Sequence, residues 1–564
     1  MAKVSPEVIK AESRGLRGTV AAELEVSDSY FTGSAQNILK FHGIYQQEDR
    51  DARKIDRTGD HHQMMIRTRL PGGQLTPAQY IAHDEIASAY GNGTLRITTR
   101  QDFQFHGVLK GDLQQTIRDI NAALVTTLGA CGDIVRNVMA CPAPTTDPQR
   151  RAVQLFADEL STALFPRTRA YHQIWLDGEA LIDDSEINDP LYGKTYLPRK
   201  FKIAIAYAGD NCVDVYTNDV GLVALFDADD QLIGFNLLVG GGMGMTHAND
   251  STYARLADEV SFITPDQVVN TVTAIVTIHR DFGDRENRKH ARLKYILADR
   301  GVDWFRAELE SRVGFALQPL RPMPPFEVLD HLGWNTQEDG RLYLGIHVEN
   351  GRIADRGDYR LRSGLRAAIE QFTLPVRLTA QQNLLLADIA PEDREAVDAL
   401  LDRYGVRRVE AISNIRRNAL ACPALPTCGL AITEAERVFP HVIDEFETAL
   451  DELGIGDAGI VTRMTGCPNG CARPYVAEVA FVGRTLNKYS VFIGGSPAGT
   501  RLARPFLDLV PIDRLVPVLT PVLAYYRDER LNGEAFGDFA NRVGLETLRQ
   551  TISLDVDPVQ ATGD

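Results

Sequence analysis

No run of this sequence approaches the length of a membrane span. Its opening residues, MAKVSPEVIKAESRG, lack the apolar core of an export signal. Both absences lead us to expect a soluble cytoplasmic protein with no membrane partner. No histidine pair has the H-E-x-x-H spacing of a zinc helix. The glycine run Gly240, Gly241, Gly242 and Gly244 in LLVGGGMGMTH lacks the G-x-G-x-x-G spacing and an acidic ribose partner, so no flavin or nicotinamide domain is expected. Positive charge is in deficit: 60 Lys and Arg stand against 76 Asp and Glu, a net charge of −16. Such a surface is a poor general binder of nucleic acid and repels small anions at long range. An anionic substrate would need a locally basic pocket. Cysteine is sparse and odd in number, at seven. Without an export signal, that argues for reduced thiols and metal ligation over a disulfide framework.

Four of those cysteines carry most of the information. Cys422 and Cys428 lie in ACPALPTCG, and Cys467 and Cys471 in TGCPNGCARP, giving C-x5-C, a gap, then C-x3-C. Four thiolates are what a cubane iron–sulfur cluster needs. Gly466, Pro468 and Gly470 bend the backbone so that amide N–H groups can face sulfur, which tunes a cluster's potential. Zinc also takes four cysteines, but C-x5-C stiffened by Pro423 and Pro426 is wide for a zinc knuckle. The spacing favours a cluster, with structural zinc as the alternative.

The 564 residues suggest several domains, and two halves are related. LRITTRQDFQF from Leu95 lines up with VRLTAQQNLLL from Val376, and RNVMACPA from Arg136 with RNALACPA from Arg417; both pairs are offset by 281 residues. An unchanged offset over that distance indicates a duplicated domain. In each half an alternating strand (MMIRTRL; RLYLGIHV) precedes a helix (TPAQYIAHDEIASAY; RSGLRAAIEQF). A second strand (TLRITTR; PVRLTAQ) and a second helix (DLQQTIRDINAAL; EDREAVDALLDRY) follow, a ferredoxin-like order. A β-rich stretch with a glycine run comes next in each half. The expected class is α+β, with duplicated ferredoxin-like half-domains and two β-rich domains about a pseudo-twofold axis, and a cofactor between the halves would suit the cleft. The expected divisions are 1–60, an N-terminal extension that contacts a partner, then 61–145, 146–330, 331–415 and 416–564. In the repeat, Cys141 stands where Cys422 does, and LPRKFK is set against the later cysteine pair. Cys141, Cys131 and Cys212 read as small buried thiols.

TGCPNGCARP with ACPALPTC resembles the siroheme and iron–sulfur family of sulfite and nitrite reductases. FHGIYQQEDRDAR, MIRTRLPGG, LRITTRQDFQFHG, RNVMACPAP, YLPRKFKIA, GFNLLVGGGMG and ENRKHARLKY resemble segments of its assimilatory sulfite-reducing hemoprotein subunits in the same order. The resemblance implies a 4Fe-4S cluster on Cys422, Cys428, Cys467 and Cys471, with Cys471 shared with siroheme iron. It also implies β-rich domains that carry siroheme and cluster. Arg67, Arg136, Lys200 and Lys202 match the family's anion-binding positions. Arg67 and Arg136 would clamp oxyanion oxygens with planar forks. Lys200 and Lys202 would share one face of a strand and depress each other's pKa. Arg96, Arg100 and Arg292 match positions that bind siroheme carboxylates, with surface charge as the alternative for each. Gln104 and His106 are placed near the ring, His106 with no metal. The glycine run reads as a close approach of backbone to the tetrapyrrole, and Cys131 stays a candidate for modification.

The implied reaction is six-electron reduction of sulfite to sulfide in sulfur assimilation and cysteine biosynthesis, with nitrite reduction as the alternative. Lys202 and the Arg473–Pro474 pair favour sulfite, since an extra cation suits the doubly charged anion. Electrons must arrive from another protein. The resemblance implies an NADPH-dependent flavoprotein subunit or a ferredoxin, and an acidic surface disfavours an acidic ferredoxin.

Overall fold

The computed structural model describes residues 4–144, 148–167 and 189–552, with the backbone of two short strands at Trp175–Leu176 and Glu179–Ala180. Its framework is four five-stranded sheets in two matched pairs.

The ferredoxin-like pair is wholly antiparallel. One sheet runs Ile44–Glu48, His62–Arg67, Phe103–Val108, Leu95–Ile97 and then Arg352–Ile353 from the other half. The second runs Gly333–Thr336, Leu342–Ile346, Leu384–Ile389, Val376–Leu378 and then Gln74–Leu75 from the first half. Each half therefore lends the other a two-residue edge strand, which closes an edge that would otherwise be open. Helices Pro77–Ala89 and Leu113–Ala122 belong to the first half, Leu361–Phe372 and Arg394–Arg403 to the second. The start of Pro77–Ala89 is fixed by a reciprocal cap between Thr76 and Gln79, with proline at the first helical position. The buried residues of both halves, among them Ile66, Phe105, Leu365 and Leu386, pack into one core. The strand Ile44–Glu48 lies inside the segment read from sequence as an extension.

The other two sheets are mixed and share one pattern. The first runs Val135–Ala140, Phe201–Tyr207, Val220–Phe226, Leu232–Val239 and Asp258–Ile263; the second runs Ala419–Ala421, Thr462–Thr465, Val479–Thr485, Lys488–Ile493 and Arg504–Pro511. In both, the first three strands are mutually parallel and the last three antiparallel. The near-continuous apolar strands FKIAIAY and VGLVALF occupy the buried middle, as central strands do.

Strand register corrects one alignment made from sequence. Ala140 pairs with Ile205, and Ala421 with Met464. Ile205 is thus the counterpart of Met464, an offset of 259, and the same offset takes Cys212 to Cys471. Local geometry agrees. Two residues beyond each cysteine the chain turns left-handed, at Asp214 (φ 49°) and Arg473 (φ 53°), and enters a 3-10 turn at Val215–Thr217 and Pro474–Val476. Cys212, not LPRKFK, is therefore the first-half counterpart of the later cysteines.

Candidate active site and metal centre

The cysteine quartet is built by two loops of the second mixed sheet. Cys422 follows the strand Ala419–Ala421, and Cys467 and Cys471 follow Thr462–Thr465. A side chain at Gly466 would lie 2.4 Å from Thr433 O and 2.6 Å from Ala424 Cβ, so glycine is required there. Gly470 takes φ +63°. Polar hydrogens face the sulfurs as the turn chemistry suggests: Gly466 N donates to Cys422 Sγ at 3.4 Å and Asn469 Nδ2 to Cys467 Sγ at 3.4 Å. The thiols feel one another. Burial, then Cys471 and Cys467, push Cys422 well above the ordinary thiol range, while burial and Cys471 push Cys467 up to about 11. A metal that draws out these protons relieves that repulsion.

The donor set fits a cluster better than one ion. A tetrahedral zinc with Zn–S bonds of about 2.3 Å needs sulfurs about 3.8 Å apart. Among the described residues, no three of these four sulfurs all lie within 4.8 Å of one another. The quartet is too open for one zinc, and four thiolates are the ligand set of an iron–sulfur cage. Cys422 and Cys467 are buried, whereas Cys471 is exposed.

The basic residues gather on the Cys471 side. Burial opposes the charge of Arg67, but its acidic-side neighbours Cys131, Tyr45, Asp102 and Cys471 outweigh burial and raise its pKa. Its Nη1 lies 3.2 Å from Cys131 Sγ, and the Gln104 side-chain oxygen, with the amide oriented by these donors, accepts from Arg67 Nη2 at 2.5 Å. Lys200 is driven well below the ordinary lysine range by burial, then by Arg136, Arg292 and Arg199, with Cys471 opposing. Lys202 is lowered first by burial and then by Lys200, Arg100, Arg292 and Arg136. Mutual repulsion, expected from sequence as the cause of the lysine shifts, is real but secondary to desolvation. Among the described residues neither lysine Nζ has an ion-pair partner. Arg136 donates only to Gly132 O, at 3.2 and 3.4 Å. Arg67 and Lys200 thus feel Cys471, and Arg136 and Lys202 lie near Lys200, a group of cations with too few carboxylates. That is the donor chemistry an anionic substrate and a polycarboxylate tetrapyrrole require.

Surface charge, the alternative for Arg96, Arg100 and Arg292, is excluded because all three are buried. Arg96 lies on the cluster side, paired with Glu436 at 2.8 Å and donating to Ala421 O at 2.8 Å. Arg100 donates to Asn218 Oδ1 at 3.0 Å, to Ile203 O at 3.1 Å and to Asn137 O, and its Nε has no partner among the described residues. Burial lowers it to about 9. Arg292 forms a two-point pair with Asp219, at 2.8 and 3.2 Å, and Asp219 also accepts from the backbone of Lys202. His106 is buried and its pKa lowered by burial, so it is neutral.

One reading changes. Arg473 is not a substrate cation. It is buried and tied to Asp214 at 2.5 Å, Thr99 O at 2.8 Å and Ala380 O at 2.9 Å. Asp214 also holds Arg463 at 2.8 Å, and it is the residue that corresponds to Arg473 in the first half. Two equivalent positions thus pair across the pseudo-twofold axis. The glycine run also packs closely within the protein. A side chain at Gly241 would lie 2.1 Å from Tyr216 O, and Met245 N donates to Pro468 O in the cysteine loop at 3.0 Å.

Sequence reading missed three supports. Arg50 donates to the carbonyls of Cys428, Pro426 (3.2 Å) and Ala431 (3.1 Å), clamping the cluster loop from the N-terminal segment. Thr99 donates to Cys471 O at 2.9 Å. Tyr45 lies near enough to Cys131, Arg136 and Arg67 to feel them electrostatically, although burial is the larger cause of its raised pKa. Tyr45 and Arg50 both lie in FHGIYQQEDRDAR, the only signal that could have singled them out.

Comparison with known proteins gives one answer. The model of the nitrite and sulphite reductase 4Fe-4S domain matches residues 157–317 and 413–558, and that of the nitrite/sulfite reductase ferredoxin-like half domain matches 56–123 and 335–404. A sulfite reductase [ferredoxin] of Synechococcus elongatus is 46% identical, with 96% of this chain and 90% of that one aligned. Sulfite reductase [NADPH] hemoprotein beta-components of Myxococcus xanthus and Lysinibacillus sphaericus are 48% and 45% identical, each covering at least 95% of both chains. The solved Mycobacterium tuberculosis NirA protein shares the fold, with a TM-score of 0.78 over 96% of this chain and 97% of that one at 24% identity. A non-catalytic zinc module is therefore set aside: the chain belongs to the nitrite and sulfite reductase family, with its 4Fe-4S domains and ferredoxin-like half domains.

Proposed function

We propose that the chain reduces sulfite to sulfide. The observation that carries this reading is the group of half-buried, under-neutralised cations on the side of the one exposed cysteine of the quartet. Cys422, Cys428, Cys467 and Cys471 would hold the cluster, and Cys471 would also face siroheme. When bound, these groups supply the electrons and the iron that receives substrate. The protein supplies binding and protons. Arg67 and Arg136 present forked donors to oxyanion oxygens. Three oxygens must leave as water, so protons must be delivered repeatedly. Lys200 and Lys202, with pKa values lowered by burial, give up protons more readily than surface lysines and are recharged by an incoming anion. Arg96, Arg100 and Arg292 already hold carboxylate or carbonyl partners. Arg292 acts through Asp219 on the Lys202 strand, and Arg100 has its free Nε to offer a cofactor carboxylate.

A viologen-driven assay tests the reading. The purified protein should contain about five iron atoms per chain, absorb in the visible and form sulfide from sulfite faster than ammonia from nitrite. An iron-free native protein, or one faster on nitrite, would overturn it. Substrate choice rests on Lys202, since Arg473 is spent on Asp214. Lys202→Asn should lower the ratio of sulfite to nitrite kcat/KM by about tenfold or more, the worth of one charge-assisted contact. An unchanged ratio would remove Lys202 from substrate selection.

For the donor we favour an NADPH-linked flavoprotein over a ferredoxin. Relatives bear both names, and a net charge of −16 slows encounter with an acidic ferredoxin. Whichever redox protein copurifies from the native cell decides between them. Among the described residues no helix is long and apolar enough to cross a membrane.

A further inference from the structure

Cys141, Cys212, Asp210 and His331 were unremarkable in sequence, and no histidine spacing marked them. The fold brings them together. All four are buried, and one ligand atom from each lies within 4.8 Å of the other three. Cys141 Sγ is 3.6 Å from Asp210 Oδ2 and 3.8 Å from His331 Nε2, and those two atoms are 3.3 Å apart. Bonds of 2.0–2.3 Å at tetrahedral angles would put such pairs about 3.5, 3.6 and 3.4 Å apart. Three of the six edges of a zinc tetrahedron are therefore almost in place, and a ligand atom of Cys212 lies within 4.8 Å of each of those corners.

The carboxylate is also aimed. Asp210 Oδ1 is occupied by the backbone amides of Cys212 at 3.0 Å and Leu329 at 3.3 Å, which leaves Oδ2 for the centre of the group. Orientation of a ligand by its other atom is typical of metal sites. His331 holds φ +55°, uncommon for a residue other than glycine.

The location gives the group its meaning. Cys141 is the counterpart of Cys422, and Cys212 is the counterpart of Cys471. The duplication thus placed two thiols of the first half where two cluster ligands stand in the second. Asp210 and His331 complete the first-half set at a size suited to one ion, whereas the second-half quartet is open. Both cysteines and Asp210 belong to the first half, and His331 to the linker that enters the second. That linker is laid on the loop by Asn211 N to Glu327 O at 2.8 Å and Glu327 N to Gly209 O at 2.9 Å.

We propose that Cys141, Asp210, Cys212 and His331 hold one tetrahedral divalent cation of the zinc class. It is a second metal site, separate from the iron–sulfur cluster, that fastens the linker to the first half. The two soft thiolates and the imidazole select zinc over magnesium or calcium. Binding releases the thiol protons and needs no redox step.

The test uses holoenzyme purified anaerobically from cells supplied with zinc. Elemental analysis should find about one zinc per chain beside the iron. Absorption at the zinc edge should give two sulfurs at about 2.3 Å and two nitrogen or oxygen atoms at about 2.0–2.1 Å. His331→Ala should cut zinc below about a fifth of an equivalent while iron content and the visible spectrum stay unchanged. If that variant does not fold, the parent's zinc content and edge spectrum decide alone. Less than about a tenth of an equivalent of zinc in iron-replete protein that takes up none when zinc is added would overturn the proposal. So would a four-sulfur shell, a Cys141–Cys212 disulfide, or full zinc in a folded His331→Ala. Failure here leaves iron and sulfite reduction intact, so it is distinguishable from failure of the functional reading.

Discussion

Cys471→Ser should lower sulfide production to below about one thousandth of the parent rate. The other three cysteines of the quartet have fixed, mostly buried surroundings, and Cys471 alone of the four is exposed. It is also the one that acts on the cations proposed to hold substrate: Cys471 raises the pKa of both Arg67 and Lys200. Its backbone is held by Thr99 at 2.9 Å, so a serine would present its oxygen from the same place. An alcohol there is far less acidic than a thiol and a harder donor, so it neither binds iron comparably nor passes electron density as sulfur does. The polypeptide should survive, because Cys471 is not part of the packed core. The check is single-turnover and steady-state sulfide formation, with iron content and visible spectrum on the same sample. Loss of rate with siroheme absorption retained places the damage at the junction of the two centres. Normal sulfide production would remove Cys471 from that junction.

What sequence could show and what it could not divide along one line. The quartet was legible because ligands in a turn are local: Cys467 and Cys471 are close in the chain, and glycine and proline announce the bend. The duplication was legible because RNVMACPA and RNALACPA keep their spacing. The helices Pro77–Ala89 and Leu361–Phe372 followed from apolar periodicity. Pairings between distant segments leave no such trace. Nothing in CARP says that Arg473 turns away from substrate to meet Asp214, 259 residues earlier in sequence. Nothing in EDRDAR says that Arg50 reaches three carbonyls around Cys428. The exchange of the edge strands Gln74–Leu75 and Arg352–Ile353 is equally silent, since two residues carry no periodicity. The cations were legible as a set but not by role. Lys200 lies near Arg136 and Lys202 and, like Arg67, feels Cys471, whereas Arg96 and Arg292 are paired to acids that charge counting could not assign to them.

Glu436→Gln should be the most destabilising conservative change at the centre of the molecule, at about 2–4 kcal/mol near neutral pH. Glu436 is buried and receives Arg96 at 2.8 Å from the first half and Arg352 at 2.7 Å from the second. Its own backbone N–H donates to Cys422 O at 3.1 Å, so the same residue braces a cluster ligand. Burial alone would raise its pKa, but Arg352 and Arg96 overcome that and hold it at about 2 against an ordinary 4.5. That difference corresponds to roughly 3 kcal/mol of stability. The sign follows from the lowered value. The folded chain keeps this carboxylate ionised where the unfolded chain takes up a proton, so the stabilisation is complete above about pH 4.5 and is lost as pH falls toward 2. Glutamine preserves the shape and one acceptor but leaves one buried and one half-buried guanidinium group, Arg96 and Arg352, without a counter-charge. Urea unfolding followed by cluster absorbance should therefore show the variant's midpoint well below the parent's at pH 7. The gap should narrow by about 1 kcal/mol at pH 4 and by about 2 at pH 3. Equal midpoints at pH 7 would mean that the hydrogen bonds to Ala421 O and Thr94 already hold the two arginines without help from the carboxylate. In that event the join between the halves would rest on the shared core and the exchanged strands alone.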